Sequence, residues 1–193
     1  MFPTFYSPHI GSVPDPQLSL DQKIEFFIHR TVSLQIQPAL DMEKKAIPNR
    51  GLAQLLIVLS IFEMIGKYRA GFVGEGNSAK YFKEGLRWIF KEVSDTDIRM
   101  LNAFYTSVRC GLYHAGITRP NVRFTEGIPG SFGFNEEIKA LVINPDQFVH
   151  DVAIRFNDYA DEIRNPENIV LRKSFEQRFN DDDSWTPSGK NAA

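Results

Sequence analysis

The segment Leu55-Leu-Ile-Val-Leu-Ser-Ile-Phe62 is apolar on nearly every face of a helix, and such a helix is stable in water only when other elements surround it. That requirement sets the architecture. Asn49 can cap a helix from Arg50 to Tyr68 or Arg69 built around this segment. Its most apolar run, Leu52 to Ile65, contains Gln54 and Glu63 and is shorter than the roughly 20 residues that cross a bilayer. The pattern predicts the buried centre of a bundle and no membrane span.

Partners for this helix lie on both sides of it. Ser19 with Gln22 is a capping-box pattern, and Leu20, Ile24, Phe27, Thr31 and Leu34 recur at helical spacing up to Pro38, which predicts a helix from 20 to about 36 with a kinked or broken continuation to Lys45. After a loop marked by Gly71, Gly74 and Gly76, Asn77 or Ser78 starts a third helix with Phe82, Leu86, Ile89 and Val93 on one stripe. Ser94 and Asp95 stop it and cap a fourth, reaching about Tyr113, with Ile98, Leu101, Tyr105, Val108 and Leu112 as its apolar face.

Between Gly116 and Asn144 the pattern becomes β-prone: Val122-Arg-Phe-Thr, Ser131-Phe-Gly-Phe and Leu141-Val-Ile are short runs separated by Gly and Pro, which predicts a small hairpin or sheet. Asn144-Pro145 then opens a fifth helix, with Phe148, Val152, Phe156, Tyr159 and Ile163 as its stripe. The fold class is therefore mainly α: a four-to-five-helix bundle with a small β insertion between its last two helices. The chain divides into an irregular, Pro-rich arm over 1–18, a helical domain over 19–165, and a short helix with a disordered acidic tail over 166–193.

Charge and chemistry narrow the function classes. Twenty-two Lys and Arg against 24 Asp and Glu leave a net charge of −2, so any polyanion site is a local patch rather than a bulk property. The single cysteine, Cys110, cannot close an internal disulfide, and no paired Cys/His spacing marks a zinc site, so a reducing, cytoplasmic setting without metal or cofactor is expected. Glu25 with His29, and Asp146 with His150, stand four apart on helices but supply two ligands of the four a metal needs. Gly74-Glu-Gly-Asn lacks the rest of a dinucleotide or phosphate loop.

One spacing carries chemistry. Near the end of the fourth helix stands Tyr105-Thr-Ser-Val-Arg109-Cys-Gly-Leu-Tyr-His114, an Arg and a His five positions apart. A histidine moves protons near neutral pH, and an arginine offers a permanent, bidentate cation to a phosphate gaining charge. On an ideal helix five residues turn through about 500°, leaving the two side chains about 140° apart. Convergence then requires the Arg to reach around, the last turn to loosen at Gly111, or a partner subunit to complete each site. Tyr113 can stack or hydrogen-bond there, or simply pack. Arg119 and Arg123, with Lys67 and Arg69, form either a basic patch beside the motif or scattered solvated charges.

The motif resembles the signature of the HEPN superfamily, an Arg, four to six variable residues and a His near a helix end. The order of Phe62-Glu-Met-Ile-Gly-Lys-Tyr-Arg, Asn77-Ser-Ala-Lys-Tyr-Phe, Phe104-Tyr-Thr-Ser-Val-Arg and Ile143-Asn-Pro-Asp-Gln-Phe is similar to that of bacterial HEPN proteins, over roughly residues 20 to 165. The resemblance implies a metal-independent ribonuclease with Arg109 and His114 as catalytic residues and Tyr113, Arg119 and Arg123 toward the RNA. It also implies a homodimer, and a toxin–antitoxin or defence setting with a neutralising partner protein. The alternative it leaves is a non-catalytic module that binds a protein or nucleotide and dimerises. Cys110, where active members commonly carry a small polar residue, points that way.

Overall fold

Ser19 sets the first helix. Its hydroxyl accepts from the Gln22 backbone N–H, and the Gln22 side chain accepts from the Ser19 N–H, so two donors that a helix start leaves orphaned are satisfied. The computed structural model describes residues 18–91, 93 and 97–183; the expected arm over 1–17 and the tail over 184–193 lie outside the described residues. From Ser19 the chain runs through α1 (Leu20–Thr31), a π-helical stretch (Val32–Ile36) and α2 (Gln37–Lys44). The break expected at Pro38 does not occur. A proline ring presses on the carbonyl four residues back, and here the turn before it is widened, with the Gln37 N–H bonded to the carbonyl of Val32 five residues earlier.

The central helix is α3 (Gly51–Ala70), whose Leu55, Val58, Leu59, Ile61, Phe62 and Ile65 are fully enclosed. It is long and apolar enough to cross a membrane by length and composition, yet half of it lies buried inside the fold, against α2 and helices later in the chain. Asn49, the expected cap, instead takes a left-handed turn with φ 56°, and Arg50 stands at the cap position without a side-chain bond. The crossing with α4 (Ser78–Ile89) is close because two glycines meet it. A Cβ on Gly66 would fall 2.1 Å from the Tyr81 carbonyl oxygen, and one on Gly85 would fall 1.8 Å from that of Phe62.

The helix that carries the Arg/His spacing is α5 (Ile98–Asn102), a second π-helical stretch (Ala103–Arg109) and α6 (Cys110–Ala115). Asp97 caps it by accepting from the Met100 N–H; Ser94 and Asp95 lie outside the described residues. Leu101, Phe104, Val108 and Leu112 face the core, whereas Ile98, expected on that face, is 62% exposed in the first turn.

The β-prone region forms a three-stranded sheet in the order β1 (Val122–Phe124), β3 (Ala140–Ile143), β2 (Phe132–Asn135). β2 and β3 are the expected hairpin, and β1 pairs in parallel on the other edge of β3. As the middle strand, β3 has all four residues buried. Phe132 of β2 meets Phe90, Phe104 and Phe148 edge-on, which ties the sheet to the helical core. Asn144 then caps α7 (Pro145–Arg164) by accepting from the Gln147 N–H, and its expected stripe from Phe148 to Ile163 is buried.

The last helix, α8 (Ile169–Asp183), is longer than expected. Phe175 and Phe179 enter the main core, Phe175 lying 5.2 Å from Phe27 and 5.1 Å from Tyr68 between ring centres. Asp181 and Asp182, placed by the sequence reading in a disordered tail, belong to its final turn: Asp181 accepts from the Gly74 N–H at 2.9 Å, and Asp182 from the Tyr68 hydroxyl at 2.9 Å. Partners about a hundred residues away, absent from a local view of an acidic run, order that turn. The whole is mainly helical, with one small sheet set between α6 and α7.

Candidate functional site

α6 runs antiparallel along α3. Arg109 is level with Glu63, and one turn later the Tyr113 hydroxyl donates to the Leu56 carbonyl at 3.2 Å. The Arg109 Nη2 lies 3.1 Å from Glu63 Oε2, with both side chains about four-fifths buried. The guanidinium is also framed by two rings of its own helix, 5.6 Å from the centre of Tyr105 and 5.0 Å from that of Tyr113, a cation–π arrangement that fixes its orientation. Because Glu63 takes only Nη2, the rest of the fork keeps its donors, with no further hydrogen bond or ion pair among the described residues.

Glu63 was not singled out by the sequence reading, although a signal existed. A lone carboxylate in an otherwise apolar run must find a partner or be expelled to water. It finds three: Lys67 Nζ at 2.9 Å, Ser78 Oγ at 2.7 Å and Arg109. Burial pushes its pKa up, but the bonds from Lys67 and Ser78 and the charges of Lys67 and Arg109 outweigh this and hold it below the usual carboxylate range. A carboxyl depressed in the folded state contributes stability above its unfolded pKa and loses it as pH falls through the folded value. Glu63→Gln should therefore melt below wild type at pH 7, with the gap closing on acidification below about pH 4. Thermal midpoints across pH 7 to 3 check this; a constant gap would contradict it.

These side chains line a groove of about 250 Å³ that also takes in Leu59, Arg178 and Asp182. Tyr105 sits behind it, its phenol pKa raised by burial and by the neighbouring Cys110 thiol. Cys110 is half-buried beside it.

The other expected site residues are not all brought to this groove. His114 is exposed and makes no hydrogen bond or ion pair among the described residues. Arg109 ends the π-helical stretch with right-handed helical backbone angles, and Cys110–Ala115 is α-helical, so the two side chains keep the angular separation of about 140°. Gly111 does not loosen the turn. It lets the returning chain approach, since a Cβ there would lie 2.7 Å from the Ile117 carbonyl oxygen. The irregular turn instead precedes the Arg, where the Cys110 N–H bonds the Tyr105 carbonyl.

Of the expected basic patch only Lys67 joins Arg109. Arg119 is exposed, with its backbone N–H bonded to the Ser107 carbonyl, and Arg123 spends its guanidinium on the carbonyls of Pro120 and Val122. Arg69 pairs with Glu162 at 3.0 Å and stacks over Trp88.

The two His/carboxylate pairs bond elsewhere: Glu25 with Arg164, Asp146 with Arg50, and His150 with Glu43. No three His, Cys, Asp or Glu side chains stand together as a metal site among the described residues. The chain matches no protein-family model, no curated protein and no solved structure.

Proposed function

We propose that the protein is a metal-independent RNA endonuclease of the HEPN type, working in the cytoplasm as the effector of a bacterial toxin–antitoxin or defence system held in check by a partner protein. The observation that carries this reading is the Arg109 guanidinium. It is anchored by Glu63 and framed by Tyr105 and Tyr113 in a groove, with donors to spare, on the same helix as an exposed histidine.

In the reaction, the RNA 2′-hydroxyl attacks the adjacent phosphorus, the bond to the 5′-oxygen breaks, and the products are a 2′,3′-cyclic phosphate and a 5′-hydroxyl. His114 takes the proton from the attacking hydroxyl or gives one to the leaving oxygen. Arg109 clamps the phosphate as its equatorial oxygens gain charge. Since the two side chains diverge along one helix, each site uses Arg109 of one chain and His114 of a two-fold mate. The exposed apolar Leu56, Tyr113 and Ile117 beside His114 support that homodimer.

A non-catalytic binding module is the second reading, and the Arg109–Glu63 ion pair favours it, because it neutralises the cation a phosphate would need. To separate the two, purified protein is incubated with assorted RNAs in EDTA and the product ends are analysed. Cyclic phosphate ends are expected. If every RNA stays intact at stoichiometric protein, the endonuclease reading falls.

A further inference from the structure

We propose that the cleft between the start of α3 and the end of β1 is a base-recognition subsite, taking a guanine ring stacked on Phe124 with its N–H edge turned to the Glu126 carboxylate. The cleft has a volume of about 520 Å³, within the range of small-ligand sites. Its position in the RNA path rests on the endonuclease reading; its ligand chemistry does not.

Four observations carry the assignment. Phe124, the last residue of β1, lines the cleft with 37% of its surface exposed, an aromatic face left without a cover. Gln54 is wholly buried at the cleft; its Nε2 donates to the Ala39 carbonyl at 3.2 Å and to Asp146 at 2.9 Å, while its Oε1 meets no donor among the described residues. Turning the amide over would set an oxygen against those two acceptors, so the orientation is fixed by its neighbours. The Glu126 side chain is 79% exposed, and Arg50 Nη2 stands 3.8 Å from it, beyond a hydrogen bond. Finally, Arg50 spends Nε and Nη2 on Asp146 and leaves Nη1 without a partner among the described residues.

A part-exposed aromatic ring beside an exposed carboxylate, over a buried amide oxygen that lacks a donor, fits a flat ligand rich in N–H donors. Among the RNA bases, guanine alone carries a ring N–H and an exocyclic amine side by side, the pair that a carboxylate accepts in bidentate fashion. Stacking on an aromatic ring is the usual way a protein holds an unpaired base. The spare Arg50 donor and the uncapped first turn of α3 at Gly51 and Leu52 lie at the same cleft for the attached phosphate.

Placement ties the cleft to the Arg109 groove. Tyr113 is level with Leu56 of α3, and the cleft, lined by Gln54, Leu52 and Arg50, opens farther toward the start of the same helix. The scissile phosphate at Arg109 is level with Glu63, eleven residues or about 16 Å from Leu52 along that helix, so a base held in the cleft belongs to a nucleotide about two or three positions from the cut.

The test uses the full-length protein. GMP, AMP, CMP and UMP are added in turn while the Gln54 side-chain amide and the Phe124 backbone amide are followed by NMR. GMP should shift both signals and the other three should leave them near their starting positions. Glu126→Gln should weaken GMP binding about tenfold with an unchanged thermal midpoint, since its side chain is 79% exposed; Phe124→Leu, which keeps most of the apolar volume of a residue only 37% exposed, should weaken it as much by removing the stacking ring.

In parallel, RNA should be cut about two or three nucleotides from a guanosine, and Glu126→Gln should relax that preference about tenfold. If GMP binds selectively but no RNA is cut, the cleft stands as a guanine-nucleotide site and the endonuclease reading falls. If RNA is cut without regard to guanosine and GMP leaves Gln54 unmoved, the cleft assignment falls and the endonuclease stands. Equal shifts from all four nucleotides also overturn it.

Discussion

Gly85→Ala should lower the thermal midpoint by about 4–8 °C, because its new methyl group would have to enter space 1.8 Å from the Phe62 carbonyl oxygen. A side chain in the way can swing aside; a helix backbone cannot. α3 and α4 must move apart, and the Phe62 ring then loosens from Phe82, Phe90 and Phe148, which it meets at 5.5, 6.0 and 5.7 Å between centres. Forcing extra volume into a packed core costs about 3 kcal/mol or more at a site this tight. That exceeds the roughly 1 kcal/mol that alanine gains over glycine as a helix former. The net loss of about 2 kcal/mol, at about 2–4 °C per kcal/mol for a chain of this size, gives that shift. Gly133→Ala is the control, since a Cβ there meets nothing within 4 Å, and it should stay within about 0.5 kcal/mol of wild type. Calorimetry of the two variants decides the matter: equal midpoints would mean that α3 and α4 do not cross on these glycines.

The other large effect is on activity. His114→Ala should slow RNA cleavage by about 10² to 10⁴, the usual contribution of one general acid or base, with no change in stability because the side chain is exposed. Arg109→Ala should lose as much. Arg109→Lys should not rescue it, because an ammonium cannot hold Glu63 and a phosphate on one planar fork. Mixing the two inactive variants provides a sharper reading. If Arg109 and His114 of different chains form each site, mixed dimers regain one intact site and part of the wild-type rate returns. A mixture as dead as its components would place both groups in one chain, and variants as fast as wild type would remove them from the chemistry.

Much of the fold could be read from local pattern. The Ser19 and Asn144 caps, the enclosed α3 and the stripe of α7 follow from residue type and spacing alone, and the three β-prone runs fall on the three strands. What could not be read depends on distant partners. No local feature says that β1 pairs with β3 in parallel, or that Gly66 and Gly85 face each other's helix. α8 looked marginal because its ordering comes from Phe27, Tyr68 and Gly74, about a hundred residues or more away in sequence.

The site divides in the same way. Arg109 and His114 were legible as a pair on one helix, with Tyr113 either stacking there or simply packing, but Glu63 on another helix supplies the anchor of Arg109, and the Arg123 guanidinium turns to nearby backbone carbonyls, which charge counting does not show. Pro38 marks the first widened turn without fixing its form, and the one before Cys110 has no compositional mark at all.

The second of those turns bears on descent. A stretch bonded five residues apart inside an otherwise regular helix is what a single inserted residue leaves behind. A relative lacking that residue would keep step with this chain up to Asn102 and run one position out of step after Arg109. In such a chain the cation would sit about 100° around the axis, away from the α3 carboxylate, so loss or gain of one amino acid in Ala103–Arg109 is a one-step route between an anchored guanidinium and a free one.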